Sequence, residues 1–151
     1  MNILSDFPPL FTIKKLCKEQ KNSEILELID KHQESFKELK TQNGGQTPLH
    51  YCCSWFSDCE ILKKFLSLNI EIDVQDDNGN TPLHQAIISS SSVEFIQLLL
   101  DYGASIFIKN KFNKTAKDLL LENKNLSSLK ILEKTLNKTQ KENEINNSEK
   151  D

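Results

Sequence analysis

The sequence predicts an all-α repeat solenoid of about four stacked helix pairs, and three observations lead there. Shifting the chain by 34 residues against itself lays Thr47-Pro48-Leu49-His50 on Thr81-Pro82-Leu83-His84. A second shift of 34 lays Thr115-Ala116 and Asp118 on the same positions. Within each period, two apolar stretches of helical spacing are parted by a break and followed by a short alternating segment. The 151 residues are also lean, at 37% hydrophobic and 27% charged. One central core would be thin at that fraction, whereas stacked units seal their apolar faces on their neighbours. A chain of this length holds one domain.

The elements follow in order. Ile13 to His32 has the two-helix rhythm without the motif, with Ile25, Leu26, Leu28 and Ile29 forming an apolar stripe and Glu24, Glu27 and Lys31 left for water. A degenerate first repeat is expected over residues 10–42, a second over 43–76, a third over 77–110 and a terminal repeat over 111–136. Asn43-Gly44-Gly45-Gln46 and Asp77-Asn78-Gly79-Asn80 read as turns, where Gly45 and Gly79 supply positive φ or close backbone approach. Thr47 and Thr81 are placed to cap a helix, and Pro48 and Pro82 follow at the first helical position, where no N–H is needed. A short helix then runs through Cys52–Cys53 or Ala86–Ile87. A second carries Ile61, Leu62, Phe65 and Leu66, or Phe95, Ile96, Leu98, Leu99 and Leu100. Gly103 ends that helix, and the alternating Ile70, Ile72, Val74 and Ile106, Ile108 segments make extended connectors. In the last helix Leu129, Leu132 and Leu136 share one side and Lys130, Glu133, Lys134 and Asn137 the other, as a capping repeat requires. From Lys138 onward only Ile145 is apolar, so residues 137–151 are expected to be a disordered polar tail.

This unit resembles the ankyrin repeat, whose signature is T-P-L-H-x-A within about 33 residues. The match is complete in Thr81-Pro82-Leu83-His84-Gln85-Ala86, followed by Asp101-Tyr102-Gly103-Ala104. In the preceding copy Cys52 stands for the Ala, and the terminal copy has Lys114-Thr115-Ala116-Lys117-Asp118-Leu119. The resemblance covers roughly residues 10–136 and implies helix-turn-helix pairs joined by β-hairpin-like loops. Three departures accompany it. The glycine usual between the two helices is missing, with Ser89-Ser90-Ser91-Ser92 and Trp55-Phe56-Ser57-Asp58 there instead; the 34-residue period implies an extra residue; and the first and last copies lack the His. Those copies are expected to be looser. In length and repeat number the chain is similar to the small inhibitors of cyclin-dependent kinases. Its Gly103-Ala104-Ser105 … Lys109-Asn110-Lys111-Phe112-Asn113 stretch resembles proteasome-assembly chaperones and ribosomal-protein escorts of the same family. That stretch is common across the family and selects no partner.

Chemistry is not indicated. His50 and His84 lie at the third helical position, where the family uses His as a structural hydrogen-bonding group, and no Ser, Cys or carboxylate stands in triad spacing with both. The chain is therefore expected not to be an enzyme. Zinc could draw on His50, Cys52, Cys53 and Cys59. However, Cys52 takes the small-residue position, and adjacent helical cysteines point about 100° apart, so no metal is expected. No phosphate-binding glycine loop is present, so no cofactor is expected. Net charge is −3 and all 19 basic residues are Lys, which argues against nucleic acid. No run of about 18 apolar residues exists, so no membrane partner is expected. The start has no signal-peptide pattern. A cytoplasmic and/or nuclear location with reduced thiols is expected, and Asn-x-Ser/Thr matches such as Asn113, Asn125 and Asn137 are read as chance.

The resemblance implies that a partner protein contacts the loop tips and the exposed positions of the first helices. On this chain the candidate binding residues are Asn43, Gln46, Asp76, Asp77, Asn78, Asn80, Lys111, Phe112 and Lys114 at the tips, and Tyr51, Trp55, Gln85, Ile88 and Ser89 on the helices. Glu71, Asp73, Asp76 and Asp77 make one finger acidic, and Lys109, Lys111, Lys114 and Lys117 make the next basic. Such a strip favours specificity and encounter with a partner of matching charge order. Trp55, with Tyr51 one turn earlier, is an aromatic anchor of the kind enriched at binding hot spots. The expected function is a non-catalytic adaptor, inhibitor or assembly chaperone, monomeric on its own. The alternatives are a structural or self-associating repeat, or a regulatory fragment of an enzyme.

Overall fold

A computed structural model describes residues 10–36, 45–55 and 58–148 of the chain. Among these residues nine helices follow one another and no strand forms. They are α1 (Leu10–Lys18), α2 (Asn22–Lys31), α3 (Gln33–Phe36), α4 (Pro48–Trp55), α5 (Cys59–Ser67), α6 (Pro82–Ile88), α7 (Val93–Asp101), α8 (Ala116–Glu122) and α9 (Leu126–Ser148). They stack in two rows. The first helices α1, α4, α6 and α8 pack one on the next, as do the second helices α2, α5, α7 and α9 behind them. This is the all-helical repeat solenoid that the 34-residue offset predicts.

The third repeat shows why the motif folds this way. The Thr81 hydroxyl accepts from the His84 amide while the His84 ring receives the Thr81 amide, a reciprocal cap that satisfies two amides at the start of α6. Leu83, Ala86 and Ile87 then turn inward and are buried. The helix closes on Ser90, whose φ is +56°. The Ser90 amide donates to the Ile87 carbonyl at 3.1 Å, and Ser91 donates to Ala86 at 2.9 Å. That paired closure ordinarily recruits glycine. Gln20 and Lys124 hold the same left-handed conformation, each at φ +54°, between α1 and α2 and between α8 and α9. The missing inter-helix glycine is thus replaced by ordinary residues in a conformation that costs each of them about 1 kcal/mol.

The core lies between the two helix rows. Phe65, Phe95, Ile61, Leu62 and Ile96 are fully buried, and Phe36 of α3 meets Phe65 edge-on with ring centres 5.6 Å apart. The first repeat, although it lacks the motif, buries Ile13, Cys17, Ile25 and Ile29 in the same cluster. At the other end α9 seals the stack with Leu132 buried and Lys130, Glu133, Lys134 and Asn137 exposed.

One expectation needs correction. The tail predicted to be disordered from residue 137 continues as helix to Ser148. Composition tests whether a segment can fold alone, but this one extends a helix already nucleated by packing. Each added residue then gains a backbone hydrogen bond without a new nucleation cost. Residues 138–148 contain neither Pro nor Gly to stop it.

Candidate partner-binding face

The finger tips are built from side chains that serve the backbone. In the third tip, Asp76 Oδ1 accepts from the amides of Asn78 (2.9 Å) and Asn80 (2.8 Å), and the Asp76 amide donates to the Asn80 carbonyl (2.9 Å). Asn110 repeats the device one finger on, accepting from the Phe112 and Lys114 amides at 3.0 Å each. Its Nδ2 donates to Asn80 Oδ1 (2.9 Å), and the Lys111 amide donates to the Asn78 carbonyl (2.9 Å), so adjacent tips are tied together. Gly79 stands at φ +74°, where an added Cβ would lie 2.8 Å from the Lys111 nitrogen. Both reasons for glycine apply there.

The histidines join the fingers to the helices. His50 Nδ1 accepts from the Thr47 amide (3.1 Å), which leaves the ring proton on Nε2 to be donated across to the Asn80 carbonyl (2.9 Å). His84 does the same from the Thr81 amide (3.2 Å) to the Lys114 carbonyl (3.1 Å). Burial lowers the His84 pKa from its ordinary value, favouring this neutral ring. In the terminal repeat Asp118 Oδ2 takes the Thr115 amide (2.8 Å) and hydroxyl (2.7 Å), and these bonds, the backbone one foremost, lower its pKa.

The four thiols are free. Burial pushes Cys17 up to about 12 and raises Cys52, Cys53 and Cys59 as well, so each is a protonated thiol near neutrality. Among the described residues no group of three or more His, Cys, Asp or Glu is arranged to hold a metal, and no helix is long and apolar enough to cross a membrane.

The structure sorts the residues proposed for binding. Trp55 (41% exposed) and Ile88 (47%) stand at the C-terminal ends of neighbouring first helices, with exposed Ser89 just beyond. The Lys18 ammonium lies 5.4 Å from the Trp55 ring centre. Asp77, Asn78, Lys111 and Phe112 (68%) are exposed at the tips. Gln46 and Gln85 are half-buried, and Gln85 Nε2 donates to Ser89 Oγ (3.1 Å). Lys114 is half-buried and pairs with Glu122. Asn43 lies outside the described residues. Three assignments are corrected. Asp76 and Asn80 are buried, because their side chains satisfy tip amides and the neighbouring tip. Tyr51 is buried too, because it joins the core cluster.

Residues 54–142, more than half of the chain, match the family model for ankyrin repeats in three copies. The chain belongs to the ankyrin-repeat family. Over 76 residues it is 40% identical to ankyrin repeat and SOCS box protein 11 of Mus musculus, covering 48% of this chain and 22% of that protein. Over 71 residues it is 37% identical to an ankyrin repeat protein of Rickettsia bellii, covering 47% and 29%. Over 83 residues it is 35% identical to alpha-latrotoxin-Lg1a of Latrodectus geometricus, covering 55% and 6%. The chain thus spans less than a third of the length of each of these relatives. Ankyrin repeats are in general protein–protein interaction modules, and the family is generally non-catalytic.

Within this ankyrin stack the acidic finger is weaker than its composition suggests. Asp73 is occupied by the Ser105 amide (3.0 Å) and Asp76 is internal, so Glu71 and Asp77 are the exposed carboxylates. Two exposed aromatics escaped the sequence reading: Phe107, 68% exposed, beside the basic finger, and Tyr102, 48% exposed, at the end of α7. For Phe107 the alternation of Ile106, Phe107 and Ile108 held the signal, since a residue between two inward-facing neighbours in extended chain points the other way.

Proposed function

We propose that this ankyrin-repeat chain is a non-catalytic binding module that holds a partner protein against its finger tips and the open edge of its first-helix row. The observation that carries this is the exposure of Trp55, Ile88 and Phe112, where most other large apolar side chains of the repeats are buried. Hydrogen bonds within and between the tips fix the fingers in advance, so little ordering entropy is lost on capture. Asp77 and Lys111 on successive tips offer opposite charges in fixed order, which aids encounter and selects partners.

The test uses Trp55→Ala, Ile88→Ala and the charge exchange Asp77→Lys with Lys111→Glu, each checked by circular dichroism for an intact fold. A hot-spot anchor is worth about 2 kcal/mol, so each aromatic or aliphatic variant should weaken capture roughly thirtyfold. If all these variants retrieve the same partners as the parent chain, the face is misassigned. Sedimentation over a range of concentrations separates the self-associating alternative, which requires growth in mass as concentration rises.

A further inference from the structure

The second-helix row carries a surface that the finger face does not use. α9 has 23 residues and its neighbour α7 has 9, so α9 overruns it. Between them lies an open groove of about 880 Å3. Leu100 and Asp101 of α7 contribute one wall, and Lys130, Lys134, Lys138 and Lys141 of α9 line the other. Spacings of four, four and three residues put the lysines on one helical face. Eleven residues of helix separate first from last, a span of about 16 Å at 1.5 Å per residue.

Like charges four residues apart on a helix repel. Here the repulsion is poorly relieved from within. Lys130, Lys134 and Lys141 make no ion pair among the described residues, and Asp101 is engaged by Gln97 Nε2 at 2.7 Å. Glu133 is the other carboxylate on the groove. The wider field agrees: residues 109–148 hold nine lysines against five acidic residues, while residues 45–108 hold two against eight. An anionic ligand is therefore drawn to the last repeat and repelled from the middle of the stack.

We propose that the α7–α9 groove is a second docking site, for an extended acidic segment of a partner protein whose carboxylates meet Lys130, Lys134 and Lys141. At about 3.3 Å per residue, five extended residues match the length of the stripe. A nucleic acid fits less well, because the chain has no arginine to grip phosphates bidentately. An anionic bilayer fits less well too, since the exposed residues Phe107, Phe112, Leu121 and Leu126 do not line the groove.

The experiment is fluorescence anisotropy of a labelled short poly-glutamate peptide against the full chain, with the glutamine analogue, a single-stranded oligonucleotide and phosphatidylserine vesicles as competing probes. The glutamate peptide should bind, its glutamine analogue should not, and added salt should weaken binding by screening. Lys130→Ala with Lys134→Ala, which keeps good helix formers, should weaken it about tenfold, from two exposed charge pairs. Lys31→Ala with Lys63→Ala, exposed lysines outside both the groove and the finger tips, should leave it nearly unchanged. The proposal is overturned if the peptide does not bind, if the α9 variant binds it as tightly as the parent chain, or if the oligonucleotide or vesicles bind more tightly than the peptide. None of these outcomes touches the finger face, which is read through Trp55 and Ile88.

Discussion

In the third repeat His84 receives the Thr81 amide and donates a hydrogen bond to the Lys114 carbonyl of the next finger; in the fourth, Asp118 receives the Thr115 amide and reaches no further. The two side chains cap their helices equally, and they differ in whether a bond crosses to another repeat. The same contrast recurs elsewhere. Ile87 is 1% exposed beneath α8, and its counterpart Leu121 is 52% exposed. Phe95 fills the core at the third position of α7, and at the third position of α9 there is Ser128, equally buried. Gly79 is pressed against the Lys111 backbone, and Asn113 takes up the matching left-handed turn at φ +59°. What a repeat needs for its own helix pair is thus separable from what it needs to hold a neighbour, and the fourth repeat has dropped much of the second set.

The contrast breaks most visibly at the core. Phe95→Ala removes a fully buried ring that packs between rows, and should cost about 4 kcal/mol in urea unfolding. A loss below about 1 kcal/mol would mean that the stack collapses around the cavity and that Phe95 does not anchor the third repeat.

Next in size is His84→Asp, which gives the third repeat the cap of the fourth. The cap should survive, but the Lys114 carbonyl loses its donor, and a carboxylate enters a site that is fully buried. A loss of about 3 kcal/mol is expected. The parent chain carries a linked pH dependence. The folded-state pKa of His84 lies below its ordinary 6.5, so as pH falls the unfolded chain binds the proton first. Its contribution to stability is therefore complete above 6.5 and is lost as pH falls through the lowered value. His84→Asn should flatten the stability–pH curve in that window, and an unchanged slope would show that the ring is not held neutral.

These residues also mark what the sequence could and could not disclose. The Thr caps, Pro48, Pro82, Gly79 and Gly103 were legible because each answers a backbone requirement that few residue types meet. Asp76 and Asn80 were not, since a polar residue in a turn looks solvated until its side chain is seen bonding the turn's own amides, as Asp76 does, or the neighbouring tip, as Asn80 does. Tyr51 depended on how closely the helices around α4 would stack on it. The helical extension of α9 depended on a nucleus packed elsewhere in the same helix. The lysine stripe could be counted in the sequence, but the groove beside it exists only because α7 is short.

The smallest test asks whether the fourth repeat carries an avoidable penalty. The Ser128 amide is satisfied by Asn125 Oδ1 at 3.1 Å, but its hydroxyl is buried without a hydrogen-bond partner among the described residues. Burying a hydroxyl unpaired costs about 1–3 kcal/mol, while the alanine methyl incurs no such penalty and is the better helix former. Ser128→Ala should therefore raise stability by about 1 kcal/mol, moving the urea midpoint upward without a change in slope. The same substitution at the cap, Asn125→Ala, should move it downward by a similar amount, because it strips the Ser128 amide of its acceptor. Should both variants lose stability, the Ser128 hydroxyl has a bonding role, and the fourth repeat is as fully specified inside as the third.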